Sequence, residues 1–379
     1  MTQLSRLAHL GIAKETVAGT YVVPTAFIPF TKADWEDVIA SLRDESVRAN
    51  DTVLQGMYQG PTHATWSLDV SAYPDLIGHF LRGIIGPDTV TAGVSTTLSA
   101  NSLVAATSLS TAASIAANTV IRIGTGPSLE YAKVTAVSGS GPYTLTVAAL
   151  ALPHTSGDAV VAQSTHSFAQ STNPATKATY SMTVYDTVGT TGYAGAAMSD
   201  LQIKIDPKGI VTISPKWTCM PGVPQSLAVP SFVDVDPMLG WQWGMNNAGA
   251  SSTRGLSYDL TVKRAVDPIA SSDGNQGPRE IFQGALEADA SYKAIFESTV
   301  DHDLYLAYTQ SPAIATLTQP VSRGGALLTL TMSKSGWSKG KRDLGSDYVQ
   351  ADFSVSGIWN STDGGAVAAT LKNFQSTAY

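Results

Sequence analysis

A stretch near residue 55 of this chain is written a second time near residue 283. Each copy has a Gln-Gly pair, a strand-like run, and an Asp-Leu pair that opens an apolar stretch. These features lie at Gln55-Gly56, 64–70 and Asp75-Leu76 in the first copy and at Gln283-Gly284, 290–296 and Asp303-Leu304 in the second. The offsets between copies are 228, 226 and 228, which one two-residue gap accommodates. We therefore predict two related folds in tandem.

A second pairing follows downstream at a different offset. Val211, Ile213 and Trp217 align with Phe353, Val355 and Trp359 at an offset of 142. The smaller offset indicates extra sequence inside the first copy. That extra sequence lies at residues 93–163, of which only four are charged: Arg122, Glu130, Lys133 and Asp158. Strand-like runs at 119–123, 130–137 and 143–147 predict a small inserted β domain.

These boundaries divide the chain into three parts. Residues 1–92 and 164–222 form the first repeat, residues 93–163 form the insertion, and residues 223–379 form the second repeat with a C-terminal arm. The terminal segments 1–21 and 360–379 are too mixed in composition to fold alone. We expect them to order on contact with neighbouring subunits.

Local patterns favour an all-β fold with few helices. Gly 33 and Pro 19 punctuate short runs rich in Val, Thr, Ser and Ala, and only 14% of residues are charged. Alternating Leu201, Ile203 and Ile205 predict a strand with one apolar face. A helix is predicted from Pro74 to the stop at Gly86-Pro87, and a second over 300–308. Each repeat is thus predicted to be a small β-sandwich or barrel with one packed α-helix.

Charge and motifs argue against several function classes. The net charge of -7, without a block of like charges, disfavours a protein that grips nucleic acid through phosphates. No uninterrupted apolar run of about 20 residues predicts a membrane span. Asp301-His302-Asp303 is predicted to cap a helix, and the 336–341 segment lacks one residue of a phosphate-binding loop. We predict no enzyme activity, no metal and no cofactor.

Family-level patterns lie at 11–16, 18–21, Leu42-Arg43-Asp44-Glu45-Ser46, Tyr73-Pro74-Asp75-Leu76, Phe168, 180–185, Asp206-Pro207-Lys208-Gly209 and 345–349. Through these residues the chain resembles the tail tube (major tail) proteins of long-tailed, siphovirus-type bacteriophages. The resemblance implies a β-sandwich with a flanking helix that assembles into rings. It also implies that the rings stack into a hollow virion tube, assembled in the host cytoplasm, through which DNA passes without specific binding.

The implied partners are other copies of this chain and the tail terminator, tape measure and distal tail proteins. Two repeats per chain favour a trimeric ring with pseudo-sixfold symmetry over a hexamer. An acidic chain predicts a neutral to negative lumen, which lets DNA slide. Polar segments at 43–63 and 267–277 are the candidate ring-stacking loops. Their candidate contact residues are Arg43, Asp44, Glu45, Arg48, Asp51, Asp267, Asp273 and Asn275.

Two alternatives from other classes stay open at this point. A capsid decoration protein shares the β structure but forms closed oligomers and no filaments. A receptor-binding or carbohydrate-binding β-protein of a virion needs a surface cluster of aromatic side chains. Trp241-Gln242-Trp243 offers one such pair, although the alternation favours a core or subunit contact.

Overall fold

A computed structural model of the protein describes residues 4–170, 177–232, 235–248, 250–345 and 347–379. Strands dominate this part of the chain, which has two α-helices, α1 (Pro74–Ile84) and α2 (Val300–Leu306). The predicted all-β class with few helices is confirmed. Eighteen strands belong to one large sheet system, and seven form two small sheets between residues 95 and 162.

The strands are numbered in chain order. Those of the large system are β1 (His9–Lys14), β2 (Ala26–Ile28), β3 (Phe30–Asp44), β4 (Gly56–Ser71), β5 (Asp88–Thr91), β13 (Ser164–Phe168), β14 (Tyr180–Tyr185), β15 (Thr190–Ile205), β16 (Thr212–Cys219), β17 (Val223–Pro224), β18 (Trp243–Asn247), β19 (Ala250–Ser252), β20 (Gly255–Ile269), β21 (Glu280–Ile295), β22 (Ser311–Thr318), β23 (Leu327–Asp343), β24 (Gln350–Gly357) and β25 (Ala368–Asn373). Those of the small sheets are β6 (Ser95–Thr97), β7 (Ser108–Thr111), β8 (Val120–Ile123), β9 (Glu130–Lys133), β10 (Ala136–Ser138), β11 (Tyr143–Thr146) and β12 (Ala159–Ala162).

Eight long strands form an antiparallel array that we call the eight-stranded sheet. Its order is β3, β4, β16, β15, β20, β21, β24, β23. Side chains alternate between its two faces, so that Trp66 and Leu68 of β4 are buried while Ser67 is exposed. The apolar face contributes to one continuous core, and the other face is polar.

Helix α1 covers part of the apolar face, as predicted. Pro74 occupies the first helical turn, where its missing N–H costs no hydrogen bond, and the helix ends just before Gly86. Its apolar stripe, which includes Ile77, Phe80 and Ile84, is buried against β15, β20, β13 and β25. Helix α2 packs on β23 and has no buried residue.

Two sets of strands share the same neighbour order. The first set runs β2, β1, β14, β15, β16, β4, β3. The second set runs β19, β18, β22, β23, β24, β21, β20. A helix follows the long hairpin in each, α1 after β4 and α2 after β21. The sets join through residues 200–205 of β15, which lie beyond the part of β15 that pairs with β14 and which pair with β20, the last strand of the second set.

Irregularities in the strand pairing also recur in both sets. They lie at Phe30/Lys32 and Gly255/Ser257, at Ile39/Ser41 and Arg264/Val266, at Met198/Asp200 and Trp337/Lys339, and at Tyr180/Met182 and Ser311/Ala313. β3 and β20 carry two irregularities each, and the offset between corresponding ones is 225 in both cases, from Phe30 to Gly255 and from Ile39 to Arg264. Bulges bend a strand and fix its register, so their recurrence reflects a shared local geometry.

These pairings correct the offsets predicted from the sequence. Trp35 of β3 pairs with Trp66 of β4, and Leu260, the residue of β20 that corresponds to Trp35, pairs with Ala290 of β21. The offset from β4 to β21 is therefore 224 and not 226. At 224, Gln283-Gly284 corresponds to Gln59-Gly60 and not to Gln55-Gly56. Likewise the offset from β16 to β24 is 138 and not 142. The predicted offsets differ from the observed ones by two or four residues. Because side chains alternate between the faces of a strand with a period of two, each side chain keeps its predicted face.

The seven strands between residues 95 and 162 form two sheets with a hydrophobic cluster of their own. One sheet has the order β6, β12, β8, β9 and the other β10, β11, β7. The enclosed side chains include Leu109, Ile121, Leu145 and Val160. The cluster is separate from the main core, although β5 and β13, which flank it, pair with each other in the large system.

Both chain ends are integrated in their own chain over the described residues. β1 pairs with β14, and β25 pairs with both β13 and β23. Tyr379 is buried, with its ring 5.0 Å from that of His79 and 4.9 Å from that of His166. The prediction that the segments 1–21 and 360–379 order only on neighbours is therefore wrong here, since their apolar side chains find partners within the chain.

Candidate assembly interface

The eight-stranded sheet ends in two edges that have no partner strand among the described residues. β3 pairs with β4 alone, and residues 336–343 of β23 pair with β24 alone. An unpaired edge presents backbone N–H and C=O groups that another strand can bind. The two edges carry opposite charges. The acidic side chains of the first are Asp34, Glu36 and Asp37, and the basic side chains of the second are Lys339, Lys341 and Arg342.

The two long hairpins extend beyond the strands that flank them and end in two tips. The first tip is residues 45–55 and the second is residues 270–279. The second tip lies beside β4 of the first hairpin, because Gln276 O accepts from the N–H of Thr62 at 2.8 Å and Gln276 Nε2 donates to Gln59 O at 3.4 Å. The loops are shorter than predicted, since β3 continues to Asp44 and β4 begins at Gly56.

Four of the predicted contact residues form a local network at the first tip. Arg43 Nε lies 3.3 Å from Glu45 Oε1, and Arg48 Nη2 lies 2.5 Å from Asp44 Oδ2. Hydrogen bonds from the hydroxyl and the backbone N–H of Ser46 lower the pKa of the Asp44 carboxyl. These side chains therefore shape the tip, in addition to any contact they make with another molecule.

The other predicted contact residues are spread over both tips. Asp51 is exposed in the first tip, and Asp267 lies in β20 close to the second. Asp273 Oδ1 accepts from the N–H of Asn275 at 3.0 Å, a bond that lowers the pKa of Asp273. The eight residues thus fall into two groups on adjacent hairpins.

The exposed apolar side chains of the hairpins are not among the predicted contact residues. Val47 is 97% exposed and Val53 is 70% exposed. Met57 and Tyr58 of β4 and Phe282 of β21 are also exposed. Tyr58 and Phe282 occupy corresponding positions at the offset of 224, a signal that the correct register would have revealed. Exposed apolar groups collected at one end of a molecule mark an interaction surface.

The opposite end of the sheet carries two turns with their own exposed apolar residues. One turn, residues 206–211, joins β15 to β16, and the other, residues 344–349, joins β23 to β24. Ile210, Leu344, Tyr348 and Val349 are exposed there. We call these two turns the far rim. A cavity of about 590 Å³ opens beside the rim on the polar face of the sheet.

The polar face of the eight-stranded sheet is rich in hydroxyl groups that hold its carboxylates. Ser214 Oγ donates to Asp69 Oδ1 at 2.6 Å, and Ser356 Oγ donates to Asp289 Oδ1 at 2.6 Å. Its acidic residues are Asp34, Glu36, Asp69, Asp200, Asp259, Glu287, Asp289, Asp343 and Asp352, and its lysines are Lys32, Lys204, Lys216, Lys263, Lys293, Lys339 and Lys341. The face is therefore mixed in charge with an acidic excess.

A buried carboxylate ties the N-terminal segment to the first set of strands. Glu15 Oε1 accepts from Ser181 Oγ and from the N–H of Gly195, each at 2.8 Å, and Oε2 accepts from the N–H of Gly19 at 2.8 Å. Gly19 and Gly195 both have positive φ, at 78° and 62°, which brings their N–H groups to the carboxylate. This network explains why Glu15 and Gly19 stand among the residues that carry the resemblance.

We expect Glu15→Gln to lower the free energy of unfolding by about 2 kcal/mol, because the amide replaces one acceptor oxygen with a donor and leaves a buried N–H unsatisfied. Denaturant unfolding of the unassembled chain measures the change. Glu45→Gln is the matched control, since its exposed pair with Arg43 contributes about 0.5 kcal/mol or less. Equal losses in the two variants would contradict this role of Glu15.

Metal-ligating side chains do not gather into a site among the described residues. No three His, Cys, Asp or Glu side chains there are placed to hold a metal ion. Cys219 is buried, and burial raises the pKa of its thiol well above the usual range. Asp301 of the predicted helix cap accepts from Asn247 Nδ2 at 3.2 Å, and Thr299 makes no side-chain cap. Neither described helix is long and apolar enough to span a membrane.

Similarity to known proteins identifies the family of this chain. A search of the curated proteins found no match. A family model described as "Phage tail tube protein" matches residues 5–357, which covers both sets of strands and the segment between them. The chain therefore belongs to the phage tail tube protein family.

Proposed function

We propose that three copies of this chain close into a ring with pseudo-sixfold symmetry, and that such rings stack into the DNA conduit of a long-tailed, siphovirus-type phage. As a member of its family, the chain is a structural protein of the virion tail that assembles into a tube with other tail proteins. The ring, its symmetry and the passage of DNA are the parts that we infer.

Two tandem tube folds are the basis of this proposal. The recurring strand order and the four recurring irregularities support a duplicated fold. We assign residues 1–92 and 164–222 to the first fold and 223–379 to the second. Residues 93–163, with their separate hydrophobic cluster, form an inserted domain. Within the first fold, β5 and β13 have no counterpart in the second, where only residues 307–310 separate α2 from β22.

The joint between the two folds provides a template for the joint between chains. β15 and β20 pair over six positions, from Asp200 opposite Lys263 to Ile205 opposite Tyr258. β23 corresponds to β15 at an offset of 139, and β3 corresponds to β20 at an offset of 225. Applied to a second copy, the template pairs residues 339–344 of one chain with residues 33–38 of the next.

The charges on the two edges fit this register. Gln202 lies opposite Thr261 in the template and donates to Asp259 Oδ2 at 2.7 Å. The corresponding residue of the outer edge is Lys341, which would lie opposite Glu36 and diagonal to Asp34 of the next chain. A lysine between two carboxylates stabilises such a pairing and selects its register. Asp343 would oppose Asp34, with Lys32 diagonal to it.

Burial along β20 and along β3, the corresponding strand of the first set, supports the same joint. Tyr258, Leu260 and Val262 of β20 are buried at the internal joint. The corresponding β3 residues Trp35 and Asp37 are half-buried and exposed. β3 thus has the surface of a strand whose neighbour belongs to another molecule.

The proposed trimer has a defined number of strands and a defined mass. Eight strands per chain and three chains give a closed barrel of 24 strands, in which an internal joint alternates with a joint between chains. Such a ring has a mass of 119 kDa, three times 39.6 kDa. A hexamer of the same chain would have twice that mass and 48 strands.

The polar face of the sheet is the proposed lumen, because the core and α1 occupy the other face. Its acidic excess and its many hydroxyl groups would bind no phosphate tightly, so DNA would slide along it. The first and second hairpin tips would meet the far rim of the next ring, a head-to-tail contact that repeats without closing along the axis. The tube ends would bind the tail terminator and distal tail proteins, and the lumen would hold the tape measure protein.

An exterior position is proposed for the inserted domain. Its contacts lie on the turn between β22 and β23 and beyond β25, away from the polar face. Gln163 Nε2 donates to Gly324 O at 2.8 Å, and the Phe374 ring lies 5.5 Å from that of Tyr131 and 5.3 Å from the Arg122 guanidinium.

We expect a chain in which residues 93–163 are replaced by Asn-Gly to form tubes of normal lumen. Thr91 pairs with Thr165, so a two-residue turn can close β5 and β13 as a hairpin. Negative-stain microscopy would show thinner tubes with an unchanged axial repeat. Loss of polymerisation in a variant that still unfolds cooperatively would contradict the exterior position.

The observation that carries the ring is the internal joint between β15 and β20, and its test is direct. Glu36→Cys and Lys341→Cys in one chain place thiols opposite each other at the proposed joint, while Cys219 stays buried. Oxidation should yield covalent trimers on a non-reducing gel, and native mass spectrometry should give 119 kDa rings. Covalent hexamers or six copies per ring would overturn the trimer, and each single-cysteine variant serves as the control.

A further inference from the structure

Helix α1 is enclosed by a segment that follows the second set of strands. Asn373 Nδ2 donates to Pro74 O at 2.9 Å, and the Tyr379 ring packs on α1 so closely that a Cβ at Gly78 would lie 2.1 Å from it. β25 and β13 contact the same helix. The outer side of α1 is thus covered by strands that run alongside β23.

Helix α2 has no such cover among the described residues. Tyr305 packs against Gly340 of β23, and Arg342 Nη2 lies 3.3 Å from His302 Nε2, so one side of the helix is held by its own chain. On the other side, Leu306 is 66% exposed and Tyr308 is 82% exposed. The counterpart of a buried helix is therefore exposed with apolar side chains.

The counterpart of the covering segment is exposed as well. β17 lies beside β15 in the same way as β25 lies beside β23. Thr191 of β15 pairs with Pro224 of β17, and Leu330, the residue of β23 that corresponds to Thr191, pairs with Ala369 of β25. The segment from β17 to residue 232 has no charged residue, and its exposed apolar side chains are Val223, Leu227, Val229 and Phe232. We call residues 223–232 the apolar segment.

Contacts within the chain hold the backbone of the apolar segment in place. The N–H of Gln225 donates to Thr190 O at 2.9 Å, and Ala228 O lies 3.2 Å from His9 Nε2. The Phe232 ring lies 6.2 Å from that of Phe27. The segment is thus a preformed surface, which lowers the entropic cost of binding.

We propose that α2 of one chain packs against the apolar segment of the next chain in the ring, as α1 packs against β25 and Tyr379 within a chain. The inference rests on the proposed ring. The joint that continues β23 into β3 of a second copy also brings α2 to the first set of that copy, where the apolar segment lies. The occupant is a second copy of this chain, because the internal arrangement repeats at every joint. The contact would join copies around the ring on the side of the sheet opposite the proposed lumen.

Cysteine pairs test this contact separately from the strand joint. The pair Tyr308→Cys with Val229→Cys, treated in assembled protein with a short bismaleimide, should give covalent trimers, and each single variant should give none. Tyr308→Cys with Leu103→Cys is the matched negative control, since Leu103 is exposed in the inserted domain.

Two results distinguish this inference from the ring itself. If Glu36→Cys with Lys341→Cys cross-links and Tyr308→Cys with Val229→Cys does not, the helix contact is wrong and the ring stands. If neither pair cross-links, both are wrong. A second measurement does not depend on cross-linking: Tyr308→Asp should raise the protein concentration needed for ring assembly by about tenfold or more, because the contact buries the apolar ring of Tyr308. An unchanged concentration would overturn the contact.

Discussion

A chain carrying Lys341→Glu is expected to fold normally and to stop forming rings. The substitution would replace the lysine that lies between Glu36 and Asp34 of the next chain by a carboxylate, at a joint where Asp343 already opposes Asp34. Like charges directly opposite in a sheet are destabilising, and close charge pairs across an interface change its free energy by about 1.5 kcal/mol or more. The cost is incurred at each of three joints, so ring formation should fail at concentrations at which the unaltered chain assembles.

Reciprocal rescue makes this prediction specific. Glu36→Lys in the same chain as Lys341→Glu restores opposite charges at every joint, and rings should return. Lys133→Glu, which makes the same change of charge on the exposed surface of the inserted domain, is the matched control and should assemble normally. Sedimentation and native mass spectrometry report the outcome. Assembly of Lys341→Glu at unchanged concentration, or failure of Glu36→Lys to rescue it, would contradict the proposed register.

The sequence predicted those elements whose signals are local. Pro74 at the first turn and Gly86-Pro87 after the last one bounded α1, and the structure has it at Pro74–Ile84. In the segment 93–163, the predicted runs 119–123 and 143–147 match β8 and β11 to within one residue, because turn residues bound them. The predicted run 130–137 is divided into β9 and β10, and β6, β7 and β12 were not predicted. Such signals depend on the chain itself and need no knowledge of what packs against it.

Register and pairing could not be predicted in the same way. Two Gln-Gly pairs, Gln55-Gly56 and Gln59-Gly60, compete for the same match, and a period of two tolerates a shift of four residues without changing a face. Only the pairing partners decide between them. The charged edges were missed for the same reason, since Glu36 and Lys341 gain meaning only once β3 and β23 are known to be the outer strands.

The hairpin tips show why polarity alone misleads. The predicted contact residues Arg43, Asp44, Glu45 and Arg48 are largely engaged with one another. Val47 lies within the same segment, and its exposure follows from the length of the hairpin, which carries it beyond every neighbouring strand. The polarity of the sequence predicted the first hairpin tip as a stacking loop. In the structure the charged side chains of this tip bind one another, so we expect its apolar side chains to make the stacking contact.

The double variant Val47→Asp with Val53→Asp should form rings that do not stack into tubes. Both side chains project from the first hairpin tip, are 97% and 70% exposed, and belong to neither hydrophobic cluster of the chain, so the fold should tolerate the change. In the proposed tube they would be buried against the far rim of the next ring, where an unpaired carboxylate costs several kcal/mol. Negative-stain microscopy should show 119 kDa rings without filaments.

Leu103→Asp provides the matched control for the tip variant. Leu103 is equally exposed and apolar but lies in the inserted domain, outside the proposed stacking contact, so its tubes should be normal. A far-rim change, Leu344→Asp, should reproduce the loss of stacking, because the two surfaces meet only between rings. If the tip variant forms full-length tubes, ring stacking uses another surface. If it loses rings as well as tubes, the tip also contributes to the joint within a ring, and the separation of ring and stacking contacts proposed here is wrong.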